Sequence, residues 1–295
     1  MVRTRTAIAA VTLLGLVACR PAESRRAIAE PAPAETATTT TAATATASPS
    51  GAPMPAQAGP VQTVESAPPS PPPPARVEHL LVPGDRVASI VRSADAAPPL
   101  TVFMPGVCSM GSAYLHTFPE AARKQGGVVA IEGDQPCGTA GFRTFSWDAA
   151  RQHARVEAAL AAAGLSEIPR EGITLVGYSQ GAALAEQMVQ RWPRRYTRVV
   201  LIGAPTDPSP KNLGRARAVA TMSCDRDVPA RMKQAARAAE RAGVPATYFE
   251  MPGCTHGNVT EGERIFDETF DWLRAHERGL DPEAAAVRIA GSPPS

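Results

Sequence analysis

Gly177-Tyr178-Ser179-Gln180-Gly181 sets a serine between two glycines, where the apolar run Ile173–Val176 meets an alanine-rich stretch. A serine hydroxyl is a poor nucleophile by itself and needs a base, which in turn needs an acid to orient it. The chain holds five histidines. His79 falls in an apolar strand-like run, His153 within a helical stretch where solvation is expected, and His116 and His276 in or near helical segments. His256, in "MPGCTHGN", directly follows the last strand-like run and is the candidate base. "AVATMSCDRDVPA" supplies two candidate acids, Asp225 and Asp227. Asp225 ends its strand and stands in an Asp-x-x-Val-Pro arrangement, so it is the expected acid, with Asp227 a solvated turn residue. Together these residue types would perform acyl transfer through a covalent serine intermediate.

Such side chains work only if the fold brings them together. Apolar runs closed by Gly, Pro or Asp ("VEHLLVPG", "RVASIVRS", "LTVFMPG", "GGVVAIEGD", "GITLVGYS", "RVVLIGAP", "AVATMSCD", "ATYFEMPG") read as strands. Between the later ones lie helical stretches: "WDAARQHARVEAALAAAG", "QGAALAEQMVQRWP", "PARMKQAARAAERAG" and "EGERIFDETFDWLRAHER". That alternation predicts an α/β protein with a mostly parallel sheet of about eight strands, covered by helices on both faces. Ser179 then sits on a strand-to-helix turn tight enough to demand small residues two positions away on either side. The Gln180 N–H, opening the helix, faces the place where an oxyanion would form. A second donor is expected after the third strand, where "FMPGVCSMG" makes the Val107 N–H the first candidate and Cys108 the second.

The order Ser179, Asp225, His256 and the words "GYSQGAAL" resemble the α/β-hydrolases, across nearly all of the folded region. The elbow is similar both to that of cutinases and to that of the small carboxylesterase/acyl-protein-thioesterase family. A last strand before His256 favours the esterase/thioesterase layout, because cutinases lack it. The His-Gly usual before the oxyanion turn is replaced here by Pro105-Gly106. In such a sheet the third and fourth strands are neighbours, as are the last two. The resemblance therefore pairs Cys108 with Cys137 and Cys224 with Cys254, free buried thiols being the alternative. About twenty residues separate Pro205 from the Asp225 strand, leaving little or no room for a lid and implying an open, shallow pocket. Phe142, Phe145 and Trp147 either line an acyl site or cover the core. The resemblance implies a serine hydrolase cleaving carboxylic esters or thioesters, with no cofactor and no metal. A peptidase or amidase of the same fold, or a catalytically silent binding lipoprotein, is the alternative.

The rest of the chain concerns location. Residues 1–18 read as a secretory signal: Arg3 and Arg5 precede an apolar stretch, Ala7–Ala18, too short to span a bilayer. Leu16-Val17-Ala18-Cys19 resembles the bacterial lipobox, whose cysteine receives diacylglycerol, so Cys19 is the expected lipidation site and the membrane an expected partner. Arg20, rather than an aspartate, favours the outer membrane. Residues 19–75, rich in Pro, Ala and Thr, read as a disordered tether, 76–278 as the hydrolase domain and 279–295 as a loose tail. A formal net charge of +2 and the lack of a basic block exclude nucleic acid as an expected partner.

Overall fold

Residues 73–279 are described by a computed structural model; the expected signal, Cys19, nearly all of the expected tether and the last residues lie outside them. Eight of the apolar runs form one sheet. In chain order the elements are β1 (Glu78–Leu80), β2 (Ala88–Val91), β3 (Thr101–Met104), α1 (Gly111–Leu115), α2 (Pro119–Lys124), β4 (Val128–Ala130), β5 (Gln135–Pro136) and β6 (Arg143–Thr144). There follow α3 (Ala149–Ala162), β7 (Ile173–Tyr178), α4 (Gln180–Arg191), β8 (Tyr196–Ile202), α5 (Pro210–Leu213), β9 (Ala218–Cys224), α6 (Pro229–Arg241), β10 (Ala246–Met251) and α7 (Gly262–His276). The strand order is β1-β2-β4-β3-β7-β8-β9-β10. β1 and β2 join antiparallel at one edge, and the pairings from β4 to β10 are parallel.

Strand pleating sends successive side chains to opposite faces, and both faces are buried, so the central strands are mostly apolar, with a few buried polar residues such as Thr174, Arg198 and Thr221. On β7, Leu175 joins the core beneath α3, α4 and α6, while Val176 joins the one beneath α1, α2 and α7. Val199 and Val200 divide in the same way on β8. The second core is the aromatic one: Phe118 stacks on Phe266 at 3.8 Å, and Phe103 packs against both.

Three short helices, α1, α2 and α5, and the β5–β6 hairpin carry no sequence period long enough to announce them. His153, expected in solvent, is half-buried instead. Its Nδ1 lies 2.6 Å from the Tyr196 hydroxyl, and its ring stacks on Trp192. Residues 203–217, between β8 and β9, hold only the one-turn α5 as regular structure.

Candidate active site

β7 ends at Tyr178, and α4 begins at Gln180, leaving Ser179 alone to make the turn. Its backbone takes φ 50° and ψ −113°, a conformation that side chains other than glycine avoid and that costs about 1–3 kcal/mol. The strand and helix cross closely enough that a Cβ on Gly177 would strike the backbone of Gly181 and Ala182, and one on Gly181 the backbone of Met104 and Pro105. Ser179 N–H is held by the Ile202 carbonyl at 2.8 Å on β8, so the turn is fixed from the neighbouring strand.

The Ser179 Oγ lies 2.9 Å from His256 Nε2, on the loop after β10. The other imidazole nitrogen, Nδ1, lies 2.8 Å from Asp227 Oδ2. This corrects the sequence expectation, which gave the acid to Asp225. Asp225 directly follows the buried Cys224 and turns away from the histidine. Its carboxylate accepts the N–H groups of Gly253 at 2.9 Å and Cys254 at 3.2 Å. The Gly253 bond leads in holding the Asp225 carboxyl below its usual range, with the Cys254 bond adding to it. Asp227 follows a turn closed by its N–H on the Cys224 carbonyl, which reverses the chain toward β8. Only 8% of its side chain is exposed, against 46% for His256.

Two residues that sequence reasoning did not single out complete the geometry. Gly203 has φ 52°, and a Cβ there would stand 2.8 Å from Asp227 Oδ2 and 3.2 Å from His256 Cε1. Asp227 and His256 therefore meet across a glycine. Tyr178, fully buried, has its hydroxyl 2.8 Å from the Gly257 N–H and 3.2 Å from the Asn258 carbonyl, and its ring meets His256 edge-on. Burial raises this phenol well above the ordinary tyrosine range, so it stays protonated.

Cys108 is bonded to Cys137 and Cys224 to Cys254, the pairing that the order of strands favours. The first bond ties the loop carrying Val107 to the β5–β6 hairpin, and the second joins the loops carrying Asp227 and His256. Val107 and Gln180 both border an open groove of about 590 Å³ beside Ser179. Pro136, Phe145, Trp147 and Pro205 line it further. The aromatic residues divide their roles: Phe145 is packed into the core, while Trp147 is 60% exposed on the groove and Phe142 lies partly exposed outside its lining. Gln180 opens α4, so its N–H lacks a carbonyl partner within the helix.

No protein-family profile and no characterised protein sequence matches the chain. Solved structures do resemble it. An esterase of Pyrobaculum calidifontis superposes with a TM-score of 0.52 at 17% identity, covering 69% of this chain and 86% of that one. A CIB-like hydrolase of Thermoplasma acidophilum gives 0.50 at 16% identity, covering 68% and 98%. Carboxyl esterase 2 of the fungus Tuber melanosporum gives 0.50 at 13% identity, covering 69% and 87%. The mostly parallel eight-stranded sheet and its flanking helices are the α/β-hydrolase fold.

Proposed function

We propose that this α/β-hydrolase-fold protein is a serine esterase, cleaving carboxylic esters or thioesters through an acyl-enzyme. The observation that carries the reading is the unbroken series of contacts, Ser179 Oγ to His256 Nε2 and His256 Nδ1 to Asp227 Oδ2, beside a predominantly apolar groove. Esterases among the similar folds are consistent with it.

In this reading Ser179 Oγ attacks the carbonyl carbon while His256 Nε2 takes its proton. The Asp227 carboxylate holds the tautomer in which Nδ1 carries hydrogen and stabilises the imidazolium. The carbonyl oxygen, now an anion, is held by the backbone N–H groups of Gln180 and Val107. The bond to the leaving oxygen or sulfur breaks, and His256 returns the proton to it. Water then attacks the acyl-enzyme, giving its proton to His256, which passes it to Ser179 Oγ as the bond to the acyl group breaks and the acid leaves.

The second half of the proposal concerns place. The signal-like N-terminus, Cys19 and the Pro/Ala/Thr-rich tether favour an exported chain held by lipid at the bacterial envelope, on the outer membrane. Exported chains also commonly keep disulfides. Replacing Cys19 with serine should remove partitioning into a detergent phase; unchanged partitioning would refute the anchor. For the chemistry, a fluorophosphonate should label the native chain on Ser179 alone, and the same preparation should hydrolyse p-nitrophenyl esters. Labelling elsewhere, or no turnover with any ester or thioester, would end the esterase reading.

A further inference from the structure

We propose that the side chain of Gln180 determines acyl-chain specificity by fixing the groove wall that carries Trp147. The inference rests on the esterase reading above. The Gln180 amide is 5% exposed and spends both its ends on one loop. Its Oε1 accepts the Phe145 N–H at 2.9 Å and the Thr144 hydroxyl at 2.8 Å, and its Nε2 donates to the Phe145 carbonyl at 2.9 Å. A side chain thus satisfies both backbone groups of Phe145, as a neighbouring strand would. The residue beside the nucleophile therefore also holds the loop that walls the groove.

The same loop is braced at three further points. Cys137 is bonded to Cys108, and Ser109 and Arg143 exchange backbone hydrogen bonds at 3.1 and 3.4 Å. Beyond Phe145, the Ser146 N–H and hydroxyl are held by the buried Asp134 carboxylate at 2.7 and 2.8 Å. Among these ties the Gln180 contacts alone run to the nucleophile turn itself. They set the distance between Ser179 and the exposed indole two residues past Phe145.

The direction of the groove identifies what it takes. Val107, Gln180 and Ser179 border it, whereas His256 and Asp227 do not. His256 delivers the proton to the leaving group, so that group departs on the histidine side. The groove on the oxyanion side then receives the acyl chain. Exposed Val107 and Trp147, with Pro136 and Pro205, give it apolar surface, and its other lining residues Gln135, Thr144 and Ser146 carry no charge, so it suits an aliphatic acyl chain rather than a charged one. Gln180 acts through the wall as a positioning residue, apart from what its backbone N–H does.

The test compares p-nitrophenyl acetate, butyrate and octanoate on the full chain carrying Gln180→Leu, alongside hydrogen exchange of the peptide spanning residues 143–148. The leucine keeps the backbone donor and similar volume but removes all three contacts. Relative to acetate, kcat/KM for octanoate should fall tenfold or more, mainly through KM, and the Phe145 amide should exchange at least tenfold faster. Thr144→Val, which deletes one contact without touching Gln180, should shift both in the same direction by less. A loss equal at every chain length, or an unchanged Phe145 exchange rate, overturns the proposal. Absence of ester turnover in the unmutated chain would instead count against the esterase reading, and the exchange rates report on the wall without turnover.

Discussion

The hydroxyl of Tyr178 lies 2.8 Å from the Gly257 N–H, so the residue before Ser179 holds the residue after His256. The contact spans 79 positions of sequence and fixes the His256 loop against the end of β7. Tyr178→Phe keeps the ring and removes the hydrogen bonds. It should lower kcat by about 10- to 100-fold with a smaller change in KM, because a misplaced base harms the transition state more than binding. Loss of the bond to the exposed Gly257 should also cost about 0.5–1.5 kcal/mol in urea denaturation. Wild-type kcat would show that the loop needs no such anchor.

Asp227→Asn should reduce kcat by roughly 10⁴-fold, since an amide favours the wrong imidazole tautomer. Asp225→Asn should cost less than tenfold, because Asp225 serves the Gly253 and Cys254 N–H groups and does not touch His256. Steady-state kinetics of the two variants, with circular dichroism as a control for folding, decides between them. The reverse ranking returns the acid to Asp225.

Gly203→Ala adds one methyl group where Asp227 and His256 meet, at a backbone φ of 52°. The methyl would force the carboxylate and imidazole apart. Activity should fall by two orders of magnitude or more, and fluorophosphonate labelling of Ser179 should slow in parallel. Labelling at the native rate would mean that the pair can shift without loss.

The Cys224–Cys254 bond closes a separation of 30 residues, which the chain-entropy view values at about 3–4 kcal/mol. It also joins the turn carrying Asp227 to the loop carrying His256. Replacing both cysteines with serine should lower Tm and reduce kcat more than it weakens binding of a non-hydrolysable ester analogue. Scanning calorimetry and inhibition by that analogue measure the two effects. Equal weakening of turnover and binding would leave the bond a purely structural role.

Much of this molecule is written locally, and those parts were legible. The eight apolar runs and four long helices follow from periodicity and from Gly, Pro and Asp punctuation, and each lies within a single window of chain. The glycines around Ser179 announce the turn because a Cβ on Gly177 would strike α4 and one on Gly181 would strike the end of β3 and Pro105. The order of serine, acid and histidine was legible too, but the choice of acid was not. Asp225 and Asp227 are two residues apart on a reversing turn, and side-chain direction there depends on how the turn packs against β8 and β10. Sequence spacing cannot carry that information. The same holds for Gly203 under the acid–base pair, Tyr178 on the histidine loop and Gln180 on Phe145. Each joins residues from about 24 to 79 positions apart, so its partner exists only once the sheet has formed. Local chemistry specified the elements and the nucleophile, and packing between distant segments decided what surrounds it.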